Sequence, residues 1–139
     1  MSTEHPARAA SQRSMEIVQS KGAGAKERWL ALFADDAIIE DPIGPSPLNP
    51  DGTGHRGKAA VAAFWDMAIA PVEIKFDIER SYACGHEVAN VGTITSLTEA
   101  GLRIAVPGVF TYRVNDAGQI VALRAYWEFD TVMSALGAQ

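Results

Sequence analysis

This sequence predicts an α+β fold in which a curved, mixed and mostly antiparallel sheet wraps around N-terminal helices. Three observations support that reading. Helical apolar spacing dominates as far as Pro71, four β-rich segments separated by turn sequences fill the rest, and a long Pro/Gly-rich loop interrupts the helical part. Helices first and antiparallel strands afterwards leave a cone-shaped pocket between the concave face of the sheet and the helices.

From Ala7, "ARAASQRSMEIVQS" reads as a helix with Met15, Ile17 and Val18 on its apolar side, stopped by "KGAGAK", where two glycines break the propensity. Residues 26 to 35, "KERWLALFAD", read as a second short helix. "AIIED" is a short β-branched run that ends at Asp-Pro, because the residue before proline is driven towards extended geometry. That places Asp41 at a strand exit. "PIGPSPLNPDGTGHRG" packs four prolines and four glycines into sixteen residues, a long irregular loop able to cover a cavity. "KAAVAAFWDMAI" is a third helix, with Val61, Phe64, Trp65 and Ile69 near helical spacing and Pro71 beyond its end. Segments 72 to 83, 87 to 98, 101 to 114 and 119 to 130 read as strands separated by "CGHE", "EAG" and "NDAG" turns.

A length of 139 residues fits one domain spanning 1-139, large enough to bury a core without a staple. With 12 Lys+Arg against 17 Asp+Glu, the net charge of -5 argues against a nucleic-acid footprint. The single cysteine, Cys84, cannot form an intrachain disulfide, and no Cys/His cluster has metal-ligand spacing, so metal-free and cofactor-free chemistry is expected. The N-terminus lacks the apolar core of a signal peptide, and no run approaches the roughly eighteen apolar residues of a membrane span. A cytoplasmic protein without membrane partners is the expectation.

The segment "ALFADDAIIEDPIG", followed by the loop, "AAFWDM" and the hairpin "FTYRVNDAGQIVALRAYW", resembles the ketosteroid isomerase (steroid delta-isomerase) family of the SnoaL-like, or nuclear transport factor two-like, superfold. The likeness runs from about Ala31 to Trp127. It implies that Asp41, the aspartate before Pro-x-Gly, is the general base that moves a proton within a Δ5-3-ketosteroid or a similar flat apolar ketone. A carboxylate half-shielded by apolar walls suits that work, since it escapes strong hydration.

The resemblance also implies two donors for the dienolate oxygen, a tyrosine on the first helix and a protonated aspartate on a central strand, and both positions differ here. No tyrosine precedes Tyr82, so the first helix offers Ser14, Met15, Glu16 or Ile17, and counting back from "NDAG" puts Phe110 at the second position. Loss of one such donor typically costs about a hundred- to thousandfold in rate. Replacement donors are Trp127 and Trp65, which match pocket aromatics of the family and carry one indole N–H each, and Tyr112, two residues beyond Phe110 on the same strand face. Phe33, Phe110, Ile17 and Ile39 are the implied substrate-binding wall.

Each residue also has an ordinary structural role open to it. Asp41 before proline can be a turn-capping acid. Trp65, Trp127, Phe33 and Phe110 can be core aromatics. Asp35, Asp36 and Glu40 read as a helix end and a solvated strand face, His55 and His86 as surface histidines beside glycine, and Arg56 as a loop cation. The implied activity is steroid isomerisation with unusual oxyanion donors. The alternative is a steroid- or polyketide-binding protein of the same fold without effective catalysis, and a third reading is epoxide hydrolysis or cyclisation by an aspartate base. The outer sheet face is expected to form a homodimer, as in the proteins it resembles.

Overall fold

In the computed structural model, which describes residues 4–137, the chain begins its first helix at His5. The His5 Nδ1 accepts from the Ala7 N–H at 3.1 Å, and Pro6 takes the first helical position, where its missing N–H leaves no bond unmade. Helix α1, Pro6–Ser20, buries Ala7, Ala10, Ser11, Ser14 and Val18, a stripe of mostly small residues at three- and four-residue spacing. Met15 and Ile17, expected on the buried side with Val18, are only half-buried. Small side chains let the helix approach the sheet closely, so the packed face is the one with the least bulk. The helix stops at Lys21, whose φ is 52°, and positive φ at Gly22 and Gly24 turns the chain back.

Helix α2, Ala25–Leu30, is shorter than the 26 to 35 expected, and strand β1, Phe33–Glu40, takes over the residues "FAD". The reason is tertiary. Phe33 pairs with Ile120, and the Ile120 N–H donates to the Leu32 carbonyl at 2.8 Å, so sheet bonding outweighs a local helical preference. The peptide bond Asp41-Pro42 is cis. After the loop, β2, His55–Arg56, pairs back on Ile38 and Ile39. Helix α3, Lys58–Phe64, continues into one wider turn, Trp65–Ile69, in which the Ala70 N–H reaches the Trp65 carbonyl at 2.8 Å.

The long strands are β3 (Glu73–Cys84), β4 (Glu87–Leu97), β5 (Arg103–Val114) and β6 (Ile120–Tyr126). The six strands form one sheet in the order β2-β1-β6-β5-β4-β3, with β1 parallel to β6 and the other pairs antiparallel. The expected mixed, mostly antiparallel sheet is therefore present. Its curvature has a local cause: Gly92 and Gly108 face each other across β4 and β5, and a β-carbon on Gly92 would collide with the Asp77 carbonyl beside the register shift of β3. Without side chains there, the sheet can bend over the helices.

The last strand was expected to reach residue 130. It stops at Tyr126, where pairing with β5 ends at Val109, and the chain turns into helix α4, Phe129–Gly137. The signal for α4 was present in the sequence, since Phe129, Val132, Met133 and Leu136 recur at helical spacing. The core centres on Trp29, Phe33, Ile39, Val61, Phe64, Trp65, Val88 and Ile120. Among the described residues no helix is long and apolar enough to cross a membrane.

Candidate active site

Strand alternation decides which residues face the concave side. On β5 the inward residues are Ile104, Val106, Phe110 and Tyr112; on β6 Leu123 follows them, and on β1 the series Ala37, Ile39 leads to Asp41 just beyond the strand end. The β5 residues, Leu123 and Asp41 enclose, together with the helices, a cavity of about 300 Å³ with a predominantly apolar wall. That volume is at the small end of ligand pockets, which span roughly 300–1,000 Å³. Ser14 and Val18 of α1, Trp29 of α2, Pro47 and Leu48 of the loop, and Phe129, Val132 and Met133 of α4 complete it.

Asp41 is half-buried in this wall, and its Oδ1 accepts a 2.6 Å hydrogen bond from the Trp127 indole N–H. Such a short bond is what a charged acceptor draws from a well-placed donor. Burial pushes the Asp41 carboxyl above the usual carboxylate range, opposed by the Trp127 hydrogen bond and by the nearby His55. Its neighbour Glu40 points the other way and pairs with Arg124 at 3.1 Å, as alternation requires. Asp35 and Asp36 are exposed.

Tyr112 and Ser14 form the second polar group of the cavity. Trp29 Nε1 donates to Ser14 Oγ at 3.0 Å, and the Ser14 hydroxyl interacts in turn with the Tyr112 phenol. Burial, with the Asp41 charge adding to it against the Ser14 hydrogen bond, holds the phenol pKa up at about 12. Tyr112 therefore stays a neutral O–H donor across the working pH range. The tyrosine comes from β5, while α1 supplies a serine that braces it from the opposite wall.

Of the residues named from sequence, Asp41, Trp127, Tyr112 and Phe110 line the cavity together. Trp65, Phe33, Ile17 and Ile39 do not line it. Trp65 and Phe33 pack against Trp29 at ring distances of 5.2 and 4.5 Å, so Trp29 holds the wall position and the other two rings stand in the core. Ile39 is fully buried, and Ile17 lies off the cavity side of α1, which presents Ser14 and Val18. Trp127, named as an oxyanion donor, has its single N–H directed at the Asp41 carboxylate. Ser14 and Trp29 were missed as site residues because a small polar residue on an amphipathic helix and a core tryptophan carry no distinctive pattern. The α4 residues were missed with the helix itself.

His55 also differs from a surface histidine. Its ring packs on Phe64 at 5.1 Å, and its Nε2 is buried without a hydrogen-bond partner among the described residues. His86 is exposed and lies 3.0 Å from Asp116, Cys84 is exposed at the end of β3, and Arg56 is exposed on β2. Among the described residues no group of three or more His, Cys, Asp or Glu side chains is placed to hold a metal ion.

The geometry is an apolar cavity with one shielded carboxylate and one neutral phenol in its wall. Comparisons with known proteins agree with it. Residues 12–123 match the family model described as SnoaL-like domain. A protein of Nocardioides simplex named Steroid Delta-isomerase is 30% identical over 105 residues, covering 75% of this chain and 77% of that protein. The structure of Delta 5-3-Ketosteroid Isomerase from Mycobacterium sp. superposes with a TM-score of 0.85 at 47% identity over 91% of this chain and 96% of that one. A Mycobacterium tuberculosis protein in complex with estradiol-17beta-hemisuccinate gives 0.84 at 46% identity over 91% and 97%. The chain belongs to the SnoaL-like domain family, with steroid isomerases among its relatives.

Proposed function

We propose that this protein is a steroid Δ-isomerase that transfers a proton within a Δ5-3-ketosteroid or similar flat apolar ketone. The observation that carries the proposal is the Asp41 carboxylate, held by Trp127 at 2.6 Å in the wall of an apolar cavity. Asp41 removes the acidic proton from the carbon between the carbonyl and the double bond, the electrons move into a dienolate, and Asp41 returns the proton at the far end of the diene. Tyr112 donates to the developing oxyanion, oriented by Ser14 and Trp29. The raised proton affinity of Asp41 suits a base that must hold a carbon acid's proton briefly and give it back.

The test is the absorbance of the conjugated enone produced from a Δ5-3-ketosteroid. Turnover by the wild type that Asp41→Asn lowers by at least about a thousandfold supports the mechanism, and equal turnover in both rejects it. A second reading is a steroid-binding protein without turnover. It is favoured by the apolar ring of Phe110, buried in the cavity wall at the position where the family resemblance calls for a second donor. Background turnover together with tight binding of the same steroid would establish it. We further propose a homodimer through the outer sheet face, where Tyr126 is 49% exposed; light scattering at monomer mass would overturn this.

A further inference from the structure

The cavity has a second polar position remote from Asp41. The inward residues of β4 run Val88, Asn90, Gly92, Ile94 and Ser96, and the last two line the cavity. Strand pairing flanks Ser96 with Ile74 of β3 and Ile104 of β5, both also on the cavity wall. Ser96 is half-buried, and its hydroxyl has no hydrogen-bond partner among the described residues. An unpaired hydroxyl on an apolar wall is unfavourable unless water or a ligand oxygen meets it.

The register gives the separation. A β-carbon on Gly108 would lie 3.1 Å from the Trp127 Cβ, which puts Trp127 at the level of Gly108; Glu40 pairs with Arg124 and Arg124 with Thr111, which puts Asp41 near the level of Phe110, whereas Ser96 pairs with Ile104. Four to six residues of β5, ~13–20 Å of strand, separate Ser96 from these levels. Val106 and Ile94 provide only apolar wall between them. A rigid molecule with its reacting carbonyl at the Asp41 and Tyr112 end directs its opposite end towards Ser96.

We infer that Ser96 recognises an oxygen at the far end of the ligand, so that the cavity selects a rigid apolar molecule oxygenated at both ends over one that ends in hydrocarbon. A serine hydroxyl both donates and accepts, so a ketone and an alcohol at that end are both recognised. This inference rests on the reading of the cavity as a steroid site but not on turnover.

Equilibrium binding to the intact protein tests it. Two product-like 3-keto-4-ene steroids are titrated by tryptophan fluorescence, one with a 17-keto oxygen and one with no D-ring oxygen. Ser96→Ala is expected to weaken the 17-keto steroid about 3- to 10-fold and leave the other within about twofold. Ser96→Val, which fills the same space with methyl groups, tightens the deoxygenated steroid. An equal change for both ligands, or none for either, overturns the inference and leaves Ser96 as a solvated serine near a strand end. Asp41→Asn, which removes turnover under the isomerase reading, keeps the difference between the two ligands, so failure of catalysis and failure of far-end recognition are separate results. If neither steroid binds the wild type, the steroid reading and this inference both fall.

Discussion

Tyr112→Phe separates a catalytic phenol from a packing phenol. The substitution removes one oxygen and keeps the ring, which is 4% exposed between Leu123 and the cavity. Its effect on stability is small and calculable. The lost contact is one neutral hydrogen bond with Ser14, whose oxygen keeps the Trp29 donor at 3.0 Å, so the cost is about 1 kcal/mol. In a chain of 139 residues that lowers Tm by about 4 °C. The effect on rate is much larger if the phenol meets the oxyanion, because losing such a donor costs on the order of 100- to 1,000-fold in kcat. Steady-state isomerisation, followed by enone absorbance, should show that fall with KM nearly unchanged, since the interaction strengthens as negative charge develops. A kcat within about threefold of wild type would refute the assignment of Tyr112 as oxyanion donor. A raised KM at constant kcat would make it a binding contact.

Trp127→Phe removes the hydrogen bond that lowers the Asp41 pKa, so the acid limb of the kcat/KM profile should move to higher pH; an unmoved limb means that the bond does not hold the base. For stability the sign follows from burial. The folded Asp41 pKa is raised, so its contribution is fully present below the unfolded pKa and is lost as pH rises through the folded one, which makes Asp41→Asn raise Tm by a few degrees at neutral pH and by less in acid, as read by thermal melts at both pH values. Trp29→Ala should cost about 3–5 kcal/mol in denaturant unfolding, because it empties a site packed on Phe33 and Trp65 and removes the Ser14 donor.

The proposed chemistry depends on an inversion of which wall carries the phenol. Ser14 occupies the helix position, and the tyrosine approaches from β5, so the donor and the base come from strands of one sheet, separated by β6. Trp127, immediately after β6, follows the strand that lies between them in the sheet, and its N–H donates to the carboxylate. A rigid sheet is a good platform for such positioning, since neighbouring strands fix each other's register to within a fraction of a residue.

What the sequence determined by itself is local and periodic. Alternation put Glu40 and Asp41 on opposite faces, proline placed Asp41 at a strand exit, and turn residues divided the β-rich half, because these depend on neighbours along the chain. The small-residue face of α1 and the early end of α2 depended on contacts between distant segments, which no local pattern encodes. The tertiary structure alone decided that the Trp127 N–H meets Asp41, that Trp29 stands in the wall with Trp65 and Phe33 behind it, and that Ser14 meets Tyr112 across the cavity. A chain lists which donors exist, but a hydrogen bond is set by distance and direction, and these arise only when the sheet curves over the helices.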